Sequence, residues 1–245
     1  MLEGLISAAA GLAAQQEQLD AISNDLANLD TTGYKSQRVA FNDLLYNEVD
    51  MAGTQTTVGS GANSEIIGRS KAEGSMKETG DPLDVAIEGD GYLEVAGPGG
   101  KPALTRDGDL ALDASGTLVT SDGYRLSPTV KLPAGIAADE VRIAHDGTVS
   151  ANGKKLGQLK LVTVTSPDHM QSLGNDLLSP TTASGEPHAA TGASLRQGAL
   201  EQSNVDMGAE MANLVTTERA FQMDTSAIQN ESQMMSIANQ LRPAS

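Results

Sequence analysis

Three histidines, His145, His169 and His188, are the side chains that ordinarily titrate near neutrality, and none stands at a metal-ligand spacing from another. With no ligand motif around them, they read as surface or loop residues. Asp107, Asp109 and Asp113 raise the question of a calcium loop. Such a loop needs an oxygen ligand at its fifth position and Gly at its sixth, but these places hold Ala111 and Leu112, so an Asp-rich turn is expected. Gly89-Asp90-Gly91 and Gly97-Pro98-Gly99-Gly100 lack the Lys-Ser/Thr pair that would make either a phosphate loop, and no Ser sits in a Gly-x-Ser-x-Gly context. The acidic residues are spread along the chain rather than paired as a general acid and base. The chain has 0 Cys, which excludes disulfides, thiolate zinc sites and a cysteine nucleophile. The expectation is therefore no catalytic, metal or cofactor site.

Composition points the same way. The 245 residues carry 16 Lys plus Arg against 32 Asp plus Glu, a net charge of −16 that repels a phosphate backbone and argues against nucleic-acid binding. Aromatic residues are 2% of the chain and Trp is absent, so stacking platforms for bases or sugars are poorly supplied. No apolar window of about 18 residues exists to cross a bilayer as a helix, so no membrane insertion is expected. Leu5 to Ala14 could pass for a signal-peptide core, yet Glu3 stands where a signal needs Lys or Arg, and the apolar period runs on beyond it.

That period defines the elements. Leu5, Leu12, Leu19 and Leu26 are spaced by seven, with Met1, Ala8, Ile22 and Leu29 on the companion position and Gln15 as its polar member. The spacing predicts a helix of about 27 residues, roughly 40 Å long, ended by Asp30-Thr31-Thr32-Gly33. At the other end Met207, Leu214, Phe221, Ile228 and Met235 repeat the seven-residue spacing, with Met211 on the same stripe. Ser203-Asn204-Val205-Asp206 supplies a cap and a first-turn carboxylate, and Pro243 closes the run. Between the ends, Asp90-Gly91, Asp107-Gly108, Asp122-Gly123, Asp146-Gly147 and Asn152-Gly153 are hairpin-turn dipeptides separating short β-prone runs, of which Leu159 to Thr165 is the best. The fold class expected is α+β: N- and C-terminal helices pairing as a coiled-coil-like domain, with a central antiparallel all-β domain. Gly53 to Ser64 and Ser179 to Gly192 read as linkers or extended arms.

An isolated helix of this length is marginal in water, and each seam Leu contributes about 1.5–3 kcal/mol only when another helix covers it. Pairing of the two terminal helices would still leave Ala9, Ala10, Ala13 and Ala14 without cover, and more copies of the chain are the simplest source of neighbours. Self-assembly follows from that reasoning. The competing expectation is that both helices fold back on the β domain as ordinary core elements, giving a monomeric β binding module.

The residues also resemble a known family. Ile22 through Lys35, which includes Asn24, Leu26, Ala27, Asn28, Thr32, Gly33 and Tyr34, is similar to the N-terminal signature of bacterial flagellar rod and hook proteins. The family usually has Asn where this chain has Asp25. Resemblance continues through Phe41-Asn42-Asp43-Leu44-Leu45-Tyr46, Asp84 to Tyr92, Thr105 to Gly108, Gly116 to Thr120 and Gly198 to Val205, in the family's order. Residues 53–80 and 166–194 match only loosely.

The resemblance implies a structural role: a subunit exported through the flagellum's own channel without a cleaved signal and polymerised into the hollow axial rod. It further implies terminal helices lining an inner tube with the β domain outside them. Within the family the segment after the first helix points to the distal rod, with the proximal rod as the alternative. Partners implied are copies of itself, other axial proteins of rod and hook, the export apparatus and the bushing rings around the rod. The subunit contacts would involve Leu5, Leu12, Leu19, Ile22, Leu26 and Leu29 with Met207, Met211, Leu214, Phe221, Ile228 and Met235. The expected division is 1–35 for the first helix, 36–82 for a connecting segment, 83–195 for the β domain and 196–245 for the C-terminal segment and helix.

Overall fold

The computed structural model describes residues 2–44, 46–51, 54–59, 61–133 and 135–240, with backbone alone for 2–3, 46–51, 54–59 and 238–239. Met1, Leu45, Gly53, Ser60 and Pro243, all named above, lie outside the described residues. The chain divides into two compact units. The first comprises 1–27, 37–67 and 206–245; the second comprises 28–36 and 68–205.

In the first unit, helix α1 spans Leu2–Ala27 and helix α2 spans Met207–Gln240. Ala, Leu, Gln and Glu dominate α1, all good helix formers, so propensity and pattern agree there. The start of α2 is capped by Asp206, whose carboxylate accepts from the amides of Gly208 (2.8 Å) and Ala209 (3.1 Å). The two helices pack on each other. Between them in sequence come β1 (Gln37–Asp43), β2 (Tyr46–Met51), β3 (Thr54–Gly59) and β4 (Ala62–Arg69), the last running on into the second unit. Strands β1 and β4 pair, as do β2 and β3, so the stretch read as a linker or arm is a folded-back pair of ribbons.

The arm changes one expectation. Gly61 comes so close to α1 that a β-carbon there would lie 3.0 Å from the Ala10 methyl and from the Ser7 carbonyl oxygen. The Ser64 hydroxyl donates to the Glu17 carboxylate, and Ala14 is buried. The chain's own arm therefore covers part of the small-residue face that was assigned to other copies, while Ala9 and Ala13 remain exposed. The cause is local: small side chains at 7 and 10 and a glycine at 61 let two backbones approach.

The second unit is antiparallel throughout. A six-stranded sheet runs in the order Gln171–Gly174, Leu177–Ser179, Pro102–Thr105, Tyr92–Ala96, Leu161–Thr163 and His188–Ala189. A three-stranded sheet joins Val141–Ile143, Thr148–Ala151 and Lys154–Gln158, and smaller pairs link 194–197 to 85–88 and 199–201 to 76–78. Its core holds Val85, Ile87, Leu93, Val95, Leu118, Val130, Val141, Val149 and Leu195, aliphatic as the composition required. Asn152-Gly153 makes the expected two-residue hairpin, with φ of 50° and 75°. Asp90-Gly91 and Asp107-Gly108 do not close hairpins. Each carries the chain from one sheet to another, because 85–88 pairs with 194–197 whereas 92–96 pairs with 102–105. The best-supported run, Leu159 to Thr165, is a strand only over Leu161–Thr163.

Candidate functional site

Two places concentrate the residues of interest, one in each unit. In the first unit, α1 and α2 run antiparallel. A β-carbon on Gly4 would lie 3.0 Å from the Glu231 carboxylate, and one on Gly11 would lie 3.3 Å from that of Asp224. Further along the same register Asp25 raises the proton affinity of Glu210, adding to the larger effect of burial. Glu210, Asp224 and Glu231, with Thr217 completing the seven-residue spacing, thus face α1 along Asp25, Gly11 and Gly4. The two glycines leave room for these carboxylates, which would have to shift by a few tenths of an ångström to admit a β-carbon.

The leucine line is the flank of this contact rather than its centre. Leu5, Leu12, Leu19 and Leu26 are half-buried, as are Leu214, Phe221, Ile228 and Met235; Ile22 is fully buried. Met207 and Met211 are 51% and 52% exposed, and Val215, Met223, Met234 and Ile237 are exposed with them. The helix pair therefore leaves a line of apolar side chains in water. Helix α1 ends at Ala27, so Leu29, expected on its seam, lies beyond the helix within the second unit. Asp25 is 3% exposed, and both its oxygens accept from the Gln37 amide at 3.1 Å, holding the start of β1 against the end of α1. Asn24 meets the Gln37 side chain at 3.2 Å.

In the second unit the family-like residues Asn28, Thr32, Gly33 and Tyr34 continue into a buried polar network. Thr31 donates to the Asn28 side chain at 3.1 Å, shaping the turn after α1. Gly33 has φ of 73°, and a β-carbon there would lie 2.6 Å from the Arg106 carbonyl oxygen, so both conformation and space require glycine. Its amide donates to the Glu201 carbonyl at 2.8 Å.

Glu201 is 1% exposed, and its carboxylate takes Lys35 Nζ at 2.5 Å, Arg106 Nε at 2.9 Å and the Gly74 amide at 3.0 Å. Arg106 spends its remaining donors on the carbonyls of Ile87, Gly89 and Gly91, which is what fixes the sheet-to-sheet passage at Asp90-Gly91. Burial lowers the Lys35 pKa, opposed by its bond to Glu201. Asn204 accepts from the Ser36 amide and donates to the Ala72 carbonyl, each at 2.8 Å. Composition and spacing gave no hint of this network. Its sequence trace is a lone Lys, Arg and Glu set inside the family-like blocks.

A cavity of about 210 Å³ opens beside it, walled by Tyr92, Val164, Met170 and Leu178. Of the cations that line it, Arg69 pairs with Asp176 at 3.3 Å and Lys71 with Asp168 at 3.7 Å, while Lys35 and Arg106 share Glu201. Burial raises the Asp176 pKa, with Arg69 opposing. The candidates weighed for calcium serve turns instead. Asp113 accepts from the Ser115 hydroxyl and from the Thr117 and Ser115 amides, and those bonds hold its pKa down at about 2. Asp107 is largely buried, which raises its pKa to about 6 against hydrogen bonds from the Asp109 amide and the Ser121 hydroxyl. His145, His169 and His188 are exposed. Among the described residues no group of three His, Asp or Glu converges as a metal site, and no helix is long and apolar enough to cross a membrane.

Comparison with known proteins bears on the same segments. Residues 5–35 match the family model described as flagella basal body rod protein. Residues 86–151 match the D1 domain of flagellar hook protein FlgE/F/G, and 196–241 match the C-terminal region of the flagellar basal body rod FlgEFG proteins. The flagellar basal-body rod protein FlgG of Borreliella burgdorferi is 35% identical, over 99% of this chain and 99% of that protein. FlgG of Bacillus subtilis is 34% identical, over 96% and 97%. The flagellar hook-basal body complex protein FlhP of Bacillus subtilis is 30% identical, over 99% and 100%. A match of this depth along the whole chain means that the chain belongs to the flagellar basal-body rod protein family.

Proposed function

We propose that this chain is a structural subunit of the bacterial flagellar basal-body rod, at its distal part, assembling through its terminal helices into the hollow axial shaft that transmits torque. The observation that carries the reading is the half-covered apolar surface of the helix pair. One helix covers part of the other's stripe, and the exposed line from Met207 through Met211 and Val215 awaits further helices. Full-length similarity to relatives named FlgG supports the distal position. The residues proposed for subunit contact are Leu5, Leu12, Leu19 and Leu26 with Met207, Met211, Leu214, Phe221, Ile228 and Met235, and Leu29 from beyond the helix end; Ile22, expected among them, is buried within the chain itself.

The proposed partners are copies of the chain and neighbouring axial proteins of rod and hook. Passage through the flagellar export apparatus and contact with the surrounding rings are further parts of the proposal, placing the subunit in the periplasmic rod. No catalytic step is assigned. Deleting residues 1–30 or 205–245 tests the reading: polymerisation should be lost while the β unit keeps its cooperative melting transition. Tubes formed by the doubly truncated protein would contradict it.

A further inference from the structure

The chain passes between the β unit and the helical one at four places: after residues 27, 36, 67 and 205. Inside the β unit, the chain ends at the last three are gathered by one set of polar bonds. Lys35 reaches Glu201 and the Ala72 carbonyl; the Gly74 amide reaches Glu201; Asn204 ties Ser36 to Ala72. The Ser70 amide donates to the Ser36 carbonyl at 2.8 Å, and the Gln202 amide to the Ser75 carbonyl at 2.9 Å. Glu201 is the only acid in the set, and it balances two cations, Lys35 and Arg106, whose side chains are nearly as buried as its own.

Such a buried ionic group adds little net stability over an apolar packing of the same volume. Its best-attested effect is to select one arrangement among several of similar energy. We propose that Glu201 is a positioning residue for assembly: it fixes the spacing, within the β unit, of the points where the two ends of the arm and the start of α2 join it, so that every copy carries them alike. The inference rests on the assembly reading above and adds to it a residue that touches no neighbour.

The test compares polymerisation of the full chain with that of Glu201→Gln, Asn204→Ala, and Glu201→Gln carrying Ser36→Cys and Asn204→Cys. The native chain has 0 Cys, so the new pair is the only disulfide that can form within one chain. The critical concentration of Glu201→Gln should rise roughly tenfold or more while its β unit still melts cooperatively. Asn204→Ala should shift it in the same direction with little change in melting temperature. Oxidising the new pair should restore assembly without restoring the carboxylate, and reducing it should abolish the rescue.

Wild-type assembly by Glu201→Gln, or an oxidised pair that raises stability yet leaves assembly impaired, would overturn the inference. Should Glu201→Gln fail to fold, Asn204→Ala decides, and its wild-type assembly would overturn it equally. If the unaltered chain forms no polymer at any concentration, the rod-subunit reading itself fails, an outcome distinct from either of these.

Discussion

At the scale of single residues, the informative groups are buried polar ones. A carboxylate taken out of water binds its proton more tightly, and Asp107 shows this most, at a pKa of about 6. Because the folded value lies above the unfolded one, the contribution is most favourable at low pH and is lost as pH rises through about 6. Asp107→Asn keeps an oxygen for the Asp109 amide and removes the buried charge. We expect it to stabilise the β unit at pH 7.5 by on the order of 2 kcal/mol and to flatten its melting temperature between pH 4 and 7. A pH series of thermal melts on both proteins checks this, and an unchanged slope would contradict it. Asp84 and Asp176, also raised chiefly by burial, add to the slope that remains.

At the scale of elements, the helices were legible because their apolar residues recur every seventh position, a signal that survives without tertiary information. Which line would face the partner was not legible. Periodicity ranks residues by hydrophobicity, whereas the observed register sets the Glu231 and Asp224 carboxylates beside Gly4 and Gly11. Carboxylates occupy the seam that leucines were expected to hold. Similarly, in the stretch before β4 glycines interrupt strand-favouring Thr and Val, which made it read as a linker, although β3 (Thr54–Gly59) pairs with β2.

The acidic seam carries its own prediction. α1 has no Lys or Arg, and α2 has only Arg219, which is exposed. Like charges facing across two helices destabilise the pair, and the Glu210 pKa is already raised, first by burial and then by Asp25 and Asp206. Replacing Glu210, Asp224 and Glu231 by their amides should raise the melting temperature of the helical signal at pH 7.5. The gain should shrink as pH falls, because Glu210 takes up its proton at higher pH than an exposed glutamate does. Circular dichroism at 222 nm, the wavelength at which helices absorb most distinctively, reads this directly. A lower midpoint for the triple variant would mean that these carboxylates make favourable contacts instead.

For the whole molecule, the α+β class followed from hydrophobic period and turn residues. The path of the chain between the units did not. It depends on Glu201, Lys35 and Arg106, which are far apart in sequence and unremarkable in type, and charge complementarity between such residues leaves no periodic trace. The same limit explains Asp90-Gly91 and Asp107-Gly108. A turn dipeptide reports a change of direction, not whether the next strand joins the same sheet.

The central claim is that the exposed apolar line of the helix pair is a subunit contact, and methionine oxidation examines it at that surface. Met207, Met211, Met223 and Met234 are 51%, 52%, 67% and 57% exposed in the single chain. Dilute protein and polymer would be treated alike with hydrogen peroxide and the sulfoxides counted by mass spectrometry. The account predicts rapid oxidation at these four sites in dilute chain and protection in the polymer. Equal oxidation of the four in both states would show that other surfaces hold the copies together, and would contradict it.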